Sequence, residues 1–238
     1  MFVSAQNSAQ HGDEDALRRL LEHLQPLAGA QALSIAADGG RMARILAQHG
    51  AQVISADERA RHIATHCARF EMSHLPFGAR RLTLIVVRDV ARRLADVPRF
   101  LSECARVLSP AGKLALLEPL APAAPAAARY VNAFERLRDP SHVQQFSLAD
   151  WKKMLSAAAL EPVHHETSAE RLSLYCGHGA RLSAETLLRL RVLLHQAPQA
   201  VRAFLKPSYS EDGSGDASFE RQQVILIARK RMQGSQLS

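Results

Sequence analysis

The sequence predicts an α/β fold: a mostly parallel sheet with helices on both faces. Two stretches and one pattern point to it. Gln31 to Gln48 carries an apolar run (Ala32 to Ala37), then Asp38-Gly39-Gly40, then a helical pattern with Met42, Ile45 and Leu46 on one face, which reads as strand, tight turn and helix. Leu82 to Val87 (L-T-L-I-V-V) is continuous and β-rich, as a parallel strand covered on both faces should be. Strand-like and helix-like segments then alternate along the chain, the signature of crossover connections.

The elements follow in order. Asp13 to Leu24 places Leu17, Leu20, Leu21 and Leu24 on one face, and Asp13, Glu14 and Asp15 in the first turn, where acids complement the helix dipole. Gly50 closes the helix after the first strand, and Gln52 to Ala56 is a short strand ending at Asp57. Glu58 to Cys67 reads as helical and Ala68 to Met72 as a weak strand. After Leu82 to Val87, Val97 to Leu108 is a helix stopped by Ser109-Pro110-Ala111-Gly112. Lys113 to Leu117 is the next strand, ending at Glu118-Pro119.

Ala121 to Ala127 is an Ala/Pro connector, too short for a flexible interdomain linker. Helices are expected over Ala128 to Leu137 and from Ser147, whose S-L-A-D start approximates a capping box. Pro162 to Thr167 is a candidate strand. Ser183-Ala184-Glu185 caps a leucine-rich helix, and Phe219 to Ala228 is a final strand. A single domain over 1–238 is expected, with 121–160 and 183–206 as helical insertions or a lid, and with flexible ends at 1–12 and 232–238.

With 238 residues, 47% of them hydrophobic, the chain can bury a full domain core. No apolar run approaches the roughly 20 residues of a membrane span, and the first residues lack the pattern of a secretory leader. Three scattered cysteines (Cys67, Cys104, Cys176) make neither a disulfide framework nor a zinc site, and a cytoplasmic location with reduced thiols is expected. The net charge of +7 is spread thinly, and aromatics are only 5%. A nucleic-acid interface needs a basic stripe and stacking residues, so that partner is disfavoured. The histidines His164-His165, His74 and His178 lack metal-ligand spacing, and the first two point to opposite faces of a strand; no metal site is expected.

Three pieces in order resemble class I S-adenosylmethionine (SAM)-dependent methyltransferases, in the ubiquinone/menaquinone-biosynthesis-like branch. They are the strand-turn-helix at Ala32 to Leu46, the segment Glu103 to Leu114 containing R-V-L-S-P-A-G, and F-E-R-L-R-D-P-S-H-V at Phe134 to Val143 followed by F-S-L-A-D-W at Phe146 to Trp151. The resemblance implies a Rossmann-like, seven-stranded, mostly parallel sheet with an antiparallel last strand. SAM is the implied cofactor, lying across the carboxyl ends of the first strands, and a small organic molecule is the implied methyl acceptor. The sequence leaves room for a homo-oligomer.

The resemblance also implies the site residues. The family turn, D-x-G-x-G-x-G, falls on Ser34, Ala36, Asp38 and Gly40, of which only Gly40 matches. Ser34 lacks the charge that helps hold the SAM ammonium, a loss of ~1.5–3 kcal/mol. Asp38 caps the helix but sets a negative charge where the SAM carboxylate would sit. The same stretch also reads as an ordinary strand with a capped helix. Asp57 stands where an acid receives the ribose hydroxyls, roughly 20 residues past the turn, or it caps a following helix. Glu71 and Met72 stand near the expected adenine position. Leu75-Pro76-Phe77 resembles the family L-P-F. Thr83 replaces a common aspartate, and Arg92-Arg93 replaces a common histidine pair.

His142 is the candidate base for acceptors that must lose a proton, oriented by Arg138 or Asp139. Alternatively, Arg138 and Asp139 form a structural ion pair and His142 packs under a lid. Two functions follow: a SAM-dependent methyltransferase, or a catalytically inactive relative serving as a partner subunit or ligand-binding module.

Overall fold

A computed structural model of the chain describes residues 14–56, 66–67, 71–174, 182–210 and 217–231. Helix α1 spans 14–24. It is followed by β1 (Gln31–Ala36), α2 (Arg41–Gln48), β2 (Gln52–Ala56), β3 (His66–Cys67), β4 (Leu82–Arg88), α3 (Val97–Val107) and β5 (Leu108–Pro119). Then come α4 (Pro125–Arg138), α5 (Leu148–Ala157), β6 (Leu160–Ser173), α6 (Ala184–His195), α7 (Gln199–Leu205), β7 (Ser208–Tyr209) and β8 (Ala217–Lys230). The strands form one sheet in the order β3-β2-β1-β4-β5-β8-β6, with β7 paired to β8.

Strands β1 to β5 pair in parallel. The last strand runs the other way, as the sequence predicts. Leu120 N donates to Gln222 O near one end of β8 (2.8 Å), and Lys230 Nζ donates to Leu108 O near the other (2.8 Å). β8 is therefore antiparallel to β5. Leu174 N to Ala217 O and Arg231 N to Ala159 O fix the same relation to β6.

The chain divides into two compact units. The core unit comprises Leu20–Glu118, Asp150–Glu166 and Ile225–Ser238. Its central strands are covered on both faces: Leu33, Ile35, Ile85, Val86, Val87, Leu114, Ala115 and Leu116 are all buried. That burial explains why β4 reads as an unbroken apolar run. Each such aliphatic side chain contributes about 1.5–3 kcal/mol on leaving water. Helix α2 adds Met42, Ala43 and Leu46, and α3 adds Phe100, Leu101 and Cys104.

The second unit comprises Met1–Arg19, Pro119–Ala149 and Thr167–Val224. Its own core gathers Val131 and Phe134 of α4, Leu190 and Leu194 of α6, Val201 and Leu205 of α7, and Phe219 of β8. Phe134 meets Phe219 edge-on at 5.1 Å, a favoured aromatic geometry. Ser183 caps α6 by accepting from Thr186 N at 3.1 Å, as its position before the leucine run predicts.

Three expectations are corrected. The strand paired to β2 is His66–Cys67, at the end of the stretch expected to be helical, whose residues 58–65 lie outside the described residues; of the strand expected at Ala68 to Met72, 68–70 lie outside them too, and Glu71 begins a turn closed by His74 N donating to Glu71 O (3.0 Å). The fifth strand begins at Leu108 rather than Lys113. Ser109-Pro110-Ala111-Gly112 stops α3 yet stays within the strand as a bulge: Leu82 pairs with Leu108 while Leu84 pairs with Lys113. A Cβ on Gly112 would lie 2.9 Å from Ser109 O and 3.2 Å from Leu82 O, so only glycine fits there. The sixth strand, Leu160–Ser173, is far longer than Pro162 to Thr167, because both ends pair with β8. α7 falls within the helical stretch expected over 183–206, whereas β7 has no counterpart in the sequence reading. Among the described residues no helix is long and apolar enough to cross a membrane.

Candidate functional site

The carboxyl ends of β1, β4 and β5 lie side by side in the core unit. Register places Ala36 beside Arg88 and Arg88 beside Leu117. Each strand then delivers a polar residue as its chain turns away: Asp38 after β1, Arg88 and Asp89 at the end of β4, Glu118 in β5. Parallel strands bring these residues together although they are distant in sequence.

The turn after β1 has two left-handed residues, Gly39 (φ 67°) and Gly40 (φ 76°). Ala36 and Asp38 stand at family glycine positions but have no positive φ. Their side chains therefore impose no backbone strain, and the departures that look severe in sequence are conformationally neutral. A Cβ built on Gly39 meets nothing within 4 Å, so the turn faces open space. The N-cap of α2 is Gly40 rather than the expected Asp38, but Asp38 Oδ2 reaches over it to accept from Met42 N in the first turn at 3.1 Å.

Arg88 Nη1 also donates to Asp38 Oδ2, at 2.7 Å. The expected unfavourable charge on Asp38 is corrected by this pairing. Asp38 Oδ1 is buried and has no hydrogen-bond partner among the described residues. An unsatisfied buried carboxylate oxygen is costly, and such an atom at a strand end is fitted to receive a donor from a ligand. Sequence reasoning missed Arg88; an arginine ending an apolar strand was the available signal.

Asp89 is held at φ 54° and pairs with Arg92 Nε at 2.7 Å. Beside them Glu118 is buried, and its Oε1 accepts from Val90 N (3.0 Å) and Ala91 N (3.1 Å). Its Oε2 is buried without a hydrogen-bond partner among the described residues. Burial above all, then the negative charge of Asp89, pushes the Glu118 carboxyl up to about 7; the two amide bonds and Arg92 oppose this. Arg92, read as a histidine-pair replacement, thus serves the loop after β4.

The other expected cofactor residues are scattered. Ser34 is buried within β1, in register with Ser55 and Val86. Glu71 is exposed and accepts from Ser73 Oγ; Met72 is half-buried. Asp57 lies outside the described residues. Thr83 sits at the opposite end of β4, where its Oγ1 accepts from Gln31 N at 2.9 Å. The missing acid there has no bearing on the strand-end site.

The two downstream motifs acquire structural roles. Arg106 of R-V-L-S-P-A-G donates to Phe77 O (2.8 Å), Leu75 O (2.9 Å) and both Glu103 oxygens. Leu75 N donates back to Glu103 Oε2 at 2.9 Å. The L-P-F segment is thereby clamped onto α3. The Arg106 bonds above all draw the Glu103 carboxyl down to about 2; burial opposes them, and the Leu75 amide adds to the lowering.

In the second unit, Arg138 pairs with Glu135 Oε2 at 2.8 Å and lies 5.5 Å from the Phe219 ring centre. Asp139 receives Ser141 N and Oγ (3.0 and 2.6 Å), making a turn. His142 is buried, and its Nε2 meets Asn132 Oδ1 at 2.8 Å. Asn132 Nδ2 donates to Ala128 O and Gln145 O, so Oδ1 is the acceptor and His142 Nε2 the donor. Asn132 thus bonds His142 Nε2, and Arg138 pairs with Glu135.

A methyltransferase-domain family model matches residues 9–165, about two thirds of the chain. The uncharacterized methyltransferase YcgJ of Bacillus subtilis is 41% identical over 86 residues, 36% of this chain and 34% of that protein. A ubiquinone biosynthesis O-methyltransferase of Nitrobacter winogradskyi is 33% identical over 103 residues, 39% of this chain and 40% of that one. The chain thus aligns with only about a third to two fifths of the length of these two relatives. The crystal structure of Bacillus subtilis YcgJ superposes with a TM-score of 0.80 at 24% identity, covering 92% of this chain and 99% of that one, which establishes the fold. The match over about two thirds of the chain makes the protein a member of the SAM-dependent methyltransferase-domain family.

Proposed function

We propose that the protein transfers a methyl group from SAM to a small organic acceptor, releasing S-adenosylhomocysteine. The observation that carries this reading is the turn after β1. Left-handed Gly39 opens onto free space, and beside it Asp38 keeps one buried oxygen without a hydrogen-bond partner among the described residues. SAM supplies the methyl group on a sulfonium, an electrophile that needs no activation by the protein.

In this proposal the chain's residues bind and orient. Asp38 Oδ1 accepts from the ammonium of the methionine moiety, replacing the acid absent at Ser34. Arg88 neutralises Asp38 and supplies positive charge for the carboxylate. Ser34 and Ala36 line the strand beneath, and Gly40 lets the backbone approach. Asp57 receives the ribose hydroxyls, and Glu71 with Met72 borders the adenine. In-line placement of the acceptor then supplies most of the rate. His142 is the base for acceptors that must lose a proton; with Nε2 donating to Asn132, its basic atom in the neutral ring is Nδ1.

Calorimetric titration of SAM and S-adenosylhomocysteine into the purified protein tests the reading, with Asp38→Ala, Arg88→Ala and Asp57→Ala beside the wild type. Binding weakened by each substitution supports it. Absence of both heat and thermal shift at millimolar ligand overturns it in favour of a catalytically inactive, methyltransferase-fold partner protein. Binding unchanged by all three substitutions keeps the family and discards the site.

A further inference from the structure

We propose that His23, His164 and Glu166 form a binding site for a divalent transition metal, zinc being the reference ion. Sequence spacing hides it, because the ligands come from the last turn of α1 and from β6. On β6, alternation turns His164 and Glu166 to one face and His165 to the other. The burial pattern agrees: His164 and Glu166 are half-buried, whereas His165 is exposed. His165 instead approaches Lys152 Nζ at 3.3 Å.

The three ligand atoms lie within 4.8 Å of one another. His23 Nε2 is 3.7 Å from Glu166 Oε2, and the two imidazole rings lie 3.8 Å apart between centres, tilted by 34°. Zinc bonds of about 2.0–2.2 Å in a tetrahedral arrangement place ligand atoms ~3.3 Å apart. The His23–Glu166 separation is already close to that value, and small side-chain rotations bring in the third ligand. His164 Nε2 is buried with no hydrogen-bond partner among the described residues, which is the condition of a ligand awaiting an acceptor of its lone pair. Two imidazoles and one carboxylate suit zinc, nickel or copper far better than magnesium or calcium, which prefer all-oxygen sites. Three protein ligands leave the fourth position to water. Bound metal would tie the end of α1 to β6.

The test uses the full chain stripped with EDTA and titrated with zinc chloride by calorimetry. One zinc per chain is expected, with no heat from magnesium. His23→Ala, His164→Ala and Glu166→Gln should each weaken zinc binding about tenfold or more, whereas His165→Ala should not. Melting of the variants in EDTA at the wild-type temperature shows that they fold. Cobalt substitution into the wild type gives an independent reading, a tetrahedral d–d band lost on adding zinc. Failure of the wild type to bind zinc overturns the proposal, as does wild-type affinity in His164→Ala, which would send the metal to other groups.

Discussion

The strand ends of the core unit and the R-D-P-S-H-V turn of the second unit are both rich in buried polar groups, yet they manage them differently. In the turn the carboxylates are answered, Glu135 by Arg138 and Asp139 by Ser141, and Asn132 bonds His142 and Gln145; the buried atoms there that make no hydrogen bond among the described residues, Gln145 Oε1 and His142 Nδ1, are not carboxylate oxygens. At the strand ends, Asp38 and Glu118 each satisfy one carboxylate oxygen and leave the other buried without a partner among the described residues. A fully answered carboxylate holds a fold in place. A half-filled one stores a cost that a ligand can relieve. By this contrast the carboxylates of the R-D-P-S-H-V motif serve the fold, and the half-filled ones lie at the strand ends.

The sharpest way to break the contrast is Arg138→Ala. It takes from the buried Glu135 carboxylate, whose burial opposes its charge, the arginine that bonds it and does most to keep it charged, leaving Arg221 as the remaining cationic arginine acting on it. A loss of about 3–5 kcal/mol is expected, read by urea denaturation, with SAM affinity per folded molecule unchanged. An equal loss of SAM affinity would show that the turn shares the ligand site.

Glu118 gives the next effect. Its folded pKa, about 7, lies above the ordinary carboxyl value of 4.5. The folded protein therefore holds a proton that the unfolded chain releases. Stability from this group falls as pH rises from 4.5 to about 7, by at most ~1.4 kcal/mol per pH unit, and is flat above. Denaturation of wild type and Glu118→Gln across that window checks this; the variant should lose that part of the slope. Identical profiles would mean that the carboxylate is solvated or paired.

Arg88→Ala should weaken SAM binding by roughly 10- to 100-fold, the equivalent of ~1.5–3 kcal/mol for a charged hydrogen bond. Calorimetry reads it, and unchanged affinity would make Arg88 a structural partner of Asp38 only. The smallest effect belongs to Glu103, whose lowered pKa of about 2 stabilises above 4.5 and loses that contribution as pH falls toward 2. The pair is partly exposed, so solvent screening keeps the contribution below about 1 kcal/mol. Acid melts of wild type and Glu103→Gln should converge near pH 2.

Much of the fold was legible in the chain because its signals are local. Continuous apolar runs marked β1 and β4, helical spacing marked α2 and α3, and Ser183 marked the start of α6. The same locality misplaced β3 and β5. Whether Ser109 to Gly112 ends a strand or bulges within one depends on Leu82, across the sheet. The candidate site was half-legible: Asp38 and Gly40 stand where the family turn predicts, but their meaning depends on partners the chain order does not reveal.

What the sequence alone determined, then, is element type, the glycine turn and family membership, all set by patterns within a few residues. What only tertiary structure decided is which charges meet. Arg88 reaches Asp38 across 50 positions, Glu118 bonds amides 27 and 28 positions earlier, and His23 meets β6 across the chain. Parallel pairing aligns strand ends irrespective of their separation in sequence, and a salt bridge or metal ligand set has no period by which it could be read beforehand.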